Sequence, residues 1–320
     1  MIRGVTRRGL LLFAALGVAW GIPYLLIKIA VGEVDPAVVV LGRSALGALV
    51  LLPLVVARRQ VLPVLRRWRP LLAYTAAEII VPWYFLSSAE TRLPSSTAGL
   101  LLAAVPLVGV GIAALTGRPE RMTGLNWLGV GAGMLGVGAL VGLDVGGSDL
   151  VGVAEMVVVV IGYAIGPIIL DRRMSDLPGT GVVAISLAIT AIVYVGLVPL
   201  LGSWPRAVPS GAVIGSIVVL AVVCSAGGFL AMFALIAEVG PVRVTTITYI
   251  NPAVAIAAGA LVLHERVTVW TLVGFVLVLT GSFLVSRRRR PRPDAPAGTA
   301  APPLGADEPV AGDRSAPRGP

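Results

Sequence analysis

The sequence predicts an all-α integral membrane protein of ten transmembrane helices, arranged as two five-helix repeats inserted in opposite senses. Three observations predict it. Hydrophobic residues make up 57% of the 320, charged residues only 13%, and mean hydropathy is +0.95, outside the range of soluble domains. Apolar runs long enough to cross about 30 Å of hydrocarbon recur from residue 10 to residue 286. Finally, part of the first half recurs in the second.

Apolar windows and their Gly, Pro and charged punctuation place helices near 10–31, 36–56, 71–89, 96–116, 124–143, 150–170, 180–201, 211–237, 241–263 and 267–286. The first run follows Arg3, Arg7 and Arg8 as a signal peptide would, but it is long, contains Trp and Pro, and lacks a small-x-small cleavage site. It reads as a permanent helix behind a short N-terminal segment, 1–9. The eighth and ninth runs are separated only by Glu238 to Arg243, where Gly240 and Pro241 suit a tight turn. From Pro291 to Pro320 the chain has almost no large apolar residues and reads as a disordered tail.

The net charge of +9 is spread through short loops, with no basic domain or nucleic-acid fold, so it marks topology and not nucleic acid. A cytoplasmic N-terminus places Arg3, Arg7, Arg8, Arg58, Arg59, Arg66, Arg67, Arg69, Arg118, Arg121, Arg172, Arg173, Arg243 and Arg287 to Arg290 inside. Arg92, Arg206 and Arg266 fall outside, with Glu33, Asp35, Asp144 and Asp149. Both termini are therefore expected in the cytoplasm, with the chain in the inner membrane. The single cysteine, Cys224, forms no internal disulfide, and the single histidine, His264, makes no metal site by itself.

The stretch from Pro94 aligns with that from Pro241. Pro106 pairs with Pro252, while Glu120/Glu265, Arg121/Arg266, Thr123/Thr268, Gly129/Gly274 and Gly136/Gly281 share one offset of 145 residues. A repeat of five helices, 10–143 and then 150–286, must reverse its sense in the membrane. That is the inverted-repeat design of secondary transporters, with substrate near the midplane between the halves.

The chain resembles the EamA-like branch of the drug/metabolite transporter superfamily over residues 10–286. The resemblance is carried by Trp20 and Gly21 followed by Lys28, by Arg43, and by Pro106. In the second half it rests on Gly240 and Pro241, the run Tyr249 to Pro252, His264 to Arg266, and the helix from Gly274 to Gly281. It departs where Arg118 and Pro119 lengthen a loop and where Tyr163 replaces the usual Trp. The resemblance implies ten helices, alternating access, and export or exchange of a metabolite or drug-like solute. The substrates of the class range over amino acids, nucleotide-related compounds and drugs.

Ionisable groups within a membrane cost about 2.5–3.5 kcal/mol each on insertion scales, so Glu78 and Glu155 need a reason to be there. Each is a candidate to bind a cationic group or a coupling proton; the alternative is an interfacial or hydrogen-bonded structural carboxyl. Lys28 and Arg43 lie near helix ends, where snorkelling to headgroups is the simpler reading; Arg43 could instead pair with an acidic partner or a substrate carboxylate. Pro106 and Pro252 should bend their helices, free the carbonyls of Leu102 and Thr248, and serve as gates. On helix 9, Thr245, Thr248, Tyr249 and Pro252 share a stripe with Asn251 at its edge, facing either substrate or a neighbouring helix. Trp20 and Tyr24 on helix 1, Trp83 and Tyr84 on helix 3, and Tyr163 on helix 6 supply aromatic surface for a planar solute or for packing. The glycines of helix 5 are spaced for close packing, and Glu120 and Glu265 each precede a Thr suited to N-capping.

The expected function is a secondary transporter with a small-molecule substrate, the lipid bilayer as its solvent, a coupling proton and a second copy of the chain as candidate partners, and no cofactor or metal. An intramembrane lipid-modifying enzyme is the rival, but no paired histidines, metal spacing or nucleophile with a nearby base accompany it. A structural membrane subunit would not need duplicated proline kinks.

Overall fold

Each apolar run folds as a helix because lipid offers the backbone no other partner for its N–H and C=O groups. The computed structural model describes residues 6–115, 124–141, 149–240 and 244–286. Glu120, Thr123, Asp144, residues 241–243 and the tail lie outside the described residues, as do the side chains of Thr245 and Thr246.

In chain order the helices are α1 (Arg7–Ala30), α2 (Pro36–Ala57), α3 (Trp68–Arg92), α4 (Ser95–Ile112), α5 (Gly124–Ala139), α6 (Leu150–Met174), α7 (Gly179–Leu200), α8 (Gly211–Val239), α9 (Ile247–Val262) and α10 (Val269–Ser286). Among the described residues seven of them, α1 to α4 and α6 to α8, are long and apolar enough to cross a membrane; α9 and α10 are shorter apolar helices. The chain is thus an all-helical, multi-pass membrane protein. A five-residue helix, Val61–Leu65, precedes α3 and was not expected from the sequence. Another difference matters more: α3 runs to Arg92 instead of stopping near residue 89, which carries Glu90 into the interior.

Caps set several of the starts. The Thr6 hydroxyl accepts from Gly9 N at 3.0 Å, and Asp35, followed by Pro36, accepts from Ala37 N at 2.8 Å. Thr268 and Thr271 exchange side-chain and backbone hydrogen bonds at the head of α10, the N-cap expected for Thr268.

Among the described residues four helices leave α-geometry in matching places, while α1 is broken at Ile22, just before Pro23. α3 contains a π-helical segment, Ala76–Ile80, and α8 contains another, Leu220–Gly227. α4 passes through a 3₁₀ turn, Leu102–Ala104, just before Pro106; a 3₁₀ turn, Thr245–Tyr249, leads into α9 just before Pro252. In both cases proline is the second residue of the α-helix that follows, where its missing N–H is not needed. α2 and α7 also match, each carrying a proline in its last turns, Pro53 and Pro199.

Packing follows the same scheme. α2 lies against α7, α4 against α9 and α5 against α10, while α3 packs on α6 and α1 on α8. Exchanging each helix for the one five places along leaves this set of neighbours unchanged. The α5–α10 seam is the tightest, because glycines let the backbones touch. A Cβ added at Gly281 would lie 2.5 Å from the Gly129 carbonyl oxygen and 2.5 Å from Gly133 N, and one at Gly136 would lie 2.8 Å from Val278 N. Further along, Gly274 meets Leu140. Residues 129 to 140 therefore run against 281 to 274, so α5 and α10 are antiparallel.

Gly281→Leu is expected to lower the melting temperature in detergent strongly, since overpacking against fixed backbone costs about 1–3 kcal/mol or more. Gly138→Ala, on α5 where no atom lies within 4 Å of the added Cβ, should leave it unchanged or raise it. Equal melting of the two variants, followed by intrinsic fluorescence, would remove the seam from the account.

Candidate functional site

α1, α2, α3, α6 and α8 converge on a polar interior. Arg43 lies about two turns into α2, beyond the Asp35–Pro36 start that fixes the helix. Gly42 beside it leaves room for Ile217 of α8, whose Cγ2 would sit 2.7 Å from a Cβ there. This close approach brings Arg43 to the α8 π segment. Its Nε donates to Ser225 Oγ at 2.8 Å, and its guanidinium carbon sits 3.7 Å from the centre of the Trp83 ring. Arg43 is 8% exposed, so the snorkelling expected of it is corrected: the side chain turns inward. Lys28 also turns from the headgroups. Its ammonium donates to the carbonyls of Glu90, at 2.6 Å, and Leu93, at 2.9 Å, tying α1 to the C-terminal end of α3.

Tyr24 and Tyr163 complete this region, both near enough to Arg43 to interact with it electrostatically. Tyr163 also packs in the same cluster as Trp83. Trp20 joins from the neighbouring turn of α1. Its indole N–H donates to the Cys224 carbonyl at 3.2 Å, and its ring meets Phe229 edge-on at 5.7 Å.

Glu78 occupies the π segment of α3. Its Oε2 is buried and accepts no hydrogen bond among the described residues. Two glycines of α6 make the space for it. A Cβ at Gly166 would lie 2.0 Å from that oxygen, and one at Gly162 would lie 2.4 Å from the Ala77 carbonyl. Glu90, which sequence reading left just beyond the end of helix 3, is wholly buried, and both carboxyl oxygens lack hydrogen-bond partners among the described residues. Its charged neighbours are Lys28, Glu265 and Arg43.

Other candidates are occupied elsewhere. Glu155 accepts from Ser88 Oγ at 2.7 Å and pairs with Arg92 at 3.3 Å, far along α3 from Glu78, so the two carboxylates do not share a site. Tyr84 stacks on Tyr194 at 6.4 Å. The Tyr249 hydroxyl donates to the Ser282 carbonyl at 3.3 Å and its ring meets Phe283, so it faces α10. Thr248 is exposed, and Asn251 keeps a buried side-chain oxygen without a hydrogen-bond partner among the described residues. At one end of the bundle a separate cavity of about 540 Å³ is lined by Glu33, Asp35, Trp204 and Arg206.

Glu265 does something different from what its place before helix 10 suggests. A left-handed turn at His264 (φ 54°) aims the carboxylate at the start of α4, where it accepts from Ser95 N at 2.7 Å, Ser96 N at 3.0 Å and Ser96 Oγ at 2.6 Å. It caps a helix of the other half of the chain.

The EamA-like transporter family matches residues 7–142 and again residues 150–287. The chain belongs to this family. YvbV of Bacillus subtilis (strain 168), named an uncharacterized transporter, is 24% identical over 297 residues, covering 91% of this chain and 95% of its own. Uncharacterized transporters of Clostridium kluyveri and Archaeoglobus fulgidus are 26% and 25% identical, covering 79% and 84% of this chain and 84% and 95% of their own. A solved crystal structure, 19% identical, superposes with a TM-score of 0.62 over 86% of this chain and 95% of the other, which shows that the fold is shared. The EamA family and these relatives make the chain a membrane transporter.

The Glu265 clasp has a pH signature. Partial burial pushes its carboxyl up, but the hydrogen bonds from Ser96 and Ser95 outweigh this and hold it below the ordinary carboxylate range. A depressed folded pKa stabilises fully above the unfolded value, roughly 4.3, and the contribution is lost as pH falls through the folded pKa. Glu265→Gln should therefore melt earlier than wild type at neutral pH, and the gap should narrow as pH is lowered from about 5 to about 3. A gap that is constant with pH would contradict the clasp.

Proposed function

We propose that the chain is a secondary transporter with ten membrane crossings, working by alternating access between two inverted repeats, 10–143 and 150–286, and moving a small metabolite or drug-like solute by export or exchange. The observation that carries this reading is the duplication of backbone irregularity: π segments in α3 and α8, 3₁₀ turns before proline in α4 and α9. A merely structural bundle gains nothing from weakening equivalent helices twice, whereas rocking one repeat against the other needs equivalent bending points. The antiparallel α5–α10 seam and the twofold pattern of neighbours support the inversion. The arginine distribution supports cytoplasmic termini and an inner-membrane location.

In this mechanism the polar interior between α1, α2, α3, α6 and α8 holds the solute, with Trp20, Tyr24, Trp83 and Tyr163 as aromatic walls. Glu78 is the coupling carboxyl. Set in a π segment, where helix geometry shifts most easily, it takes up a proton in one access state and releases it in the other. Pro106 and Pro252 are the gating points.

Solute counterflow in proteoliposomes tests the function, and two variants test the mechanism. Glu78→Gln keeps the shape of the side chain but cannot titrate. It should abolish flux driven by a pH gradient while leaving exchange at equal pH, and Glu155→Gln should leave both intact. Normal gradient-driven flux in Glu78→Gln would make that residue a structural carboxyl.

Pro252→Ala should slow turnover severalfold with little change in half-saturating solute concentration, because it alters the balance of access states more than the contacts. An unchanged rate would remove Pro252 from gating.

A further inference from the structure

Arg43 is a buried cation that the fold orients without an ion pair among the described residues. Ser225 holds Nε at 2.8 Å while donating its own hydrogen to the Leu220 carbonyl, also at 2.8 Å, so the hydroxyl is fixed as an acceptor for Arg43. The Trp83 ring covers one face of the guanidinium. With Nε so engaged, the two terminal nitrogens carry four N–H donors. Among the described residues none of the four makes a hydrogen bond, and Arg43 belongs to neither of the ion pairs found there, Arg67–Asp176 and Arg92–Glu155. Glu90, Tyr24, Tyr163 and Cys224 surround it electrostatically without bonding to it. A planar guanidinium held by Nε and one face presents the fork that matches a carboxylate in bidentate fashion, and Glu90, the acidic group that interacts with it electrostatically, makes no ion pair with it among the described residues.

We infer that Arg43 is the anion receptor of the transport site, and that the solute carries a carboxylate seated on the terminal nitrogens of Arg43 against Trp83. This rests on the transporter reading and deepens it by naming the substrate class. Ser225 and Trp83 are positioning residues: one fixes the rotation of the guanidinium and the other its height. Lysine cannot replace arginine here, because an ammonium offers a point charge and no fork.

The test is binding by purified protein in phosphatidylcholine nanodiscs, which contain no anionic lipid headgroup. The probes are a series of mono- and dicarboxylates, acetate to phenylacetate and succinate, each paired with its uncharged primary amide, plus inorganic phosphate. The readouts are thermal shift and Trp fluorescence. In wild type some carboxylates should raise the melting temperature where their amides do not. Arg43→Lys should weaken that binding by about tenfold or more, and Arg43→Gln should abolish the difference between carboxylate and amide. Ser225→Ala should weaken it less. If Arg43 were only structural, Arg43→Gln would change the melting temperature of the free protein but keep the discrimination, and the inference would fail. It would also fail if no carboxylate outperformed its amide, or if phosphate alone bound. Repeating the measurement with phosphatidylglycerol in the discs distinguishes a headgroup from a solute: displacement of the carboxylate by the lipid would assign the site to lipid and overturn the inference. Counterflow separates the two levels of the reading. Solute movement that ignores Arg43→Gln refutes the receptor alone, whereas carboxylate binding with no movement of any solute refutes the transporter.

Discussion

Inside a bilayer a backbone group that leaves its helical partner has no water to turn to, and every departure from α-geometry in this chain is shaped by that constraint. Three of the distorted stretches meet a side chain that donates to one of their carbonyls. Ser225 reaches five residues back to Leu220, the spacing of a π turn and not an α turn, while Trp20 of α1 donates to Cys224 in the same segment. Tyr194 of α7 donates to Ile80 at 2.9 Å at the end of the α3 π segment. Ser282 of α10 donates to Ala103 at 2.5 Å within the 3₁₀ turn of α4. Three of these four donors come from a different helix, so irregular backbone and helix packing specify each other.

The polar interior is a product of the same arrangement. Arg43 owes its orientation to Ser225, and Ser225 owes its fixed acceptor role to the π segment that puts Leu220 within reach. Glu78 sits in the other π segment and needs Gly162 and Gly166 of α6 to leave it space. Straightening either segment would move a charge as well as a backbone. Two of the distorted segments, those of α3 and α8, therefore also position a charge.

Hydropathy and punctuation located the helices to within a few residues, since the apolar thickness of lipid dictates their length. In the glycine run of helix 5, read as a close-packing face, Gly129 and Gly133 do lie at the seam with α10, whereas Gly138 meets open space. What escaped was anything set by contacts distant in sequence. Ending helix 3 near residue 89 hid Glu90, because a charge cluster at Glu90 and Arg92 looks like a boundary when its partners on α1 are unknown. Arg43 near a helix end looked like an interfacial residue, since burial depends on Gly42 and α8. The π segments have no clear local signal, yet a π turn rotates the rest of its helix by about 100° relative to regular geometry. Faces drawn with a single period do not carry across it. The place of Glu265 before helix 10 gave no hint of its partners, Ser95 and Ser96, which lie about 170 residues away in sequence.

The glycine seam bears on how such a chain could have arisen. Gly129 meets Gly281, and the stretch from Gly136 to Leu140 meets the stretch from Gly274 to Val278, so equivalent surfaces face each other across the contact, as at the interface of a symmetric dimer. On the inverted-repeat reading, a single five-helix unit already carries the whole of this self-complementary surface. Two separate copies inserted in opposite orientations could assemble through it, and joining them in one polypeptide replaces a bimolecular encounter with a high effective concentration. Fusion also frees the halves from identity. One copy can then keep Arg43 while the other supplies Ser225, so a symmetric scaffold comes to enclose an asymmetric interior.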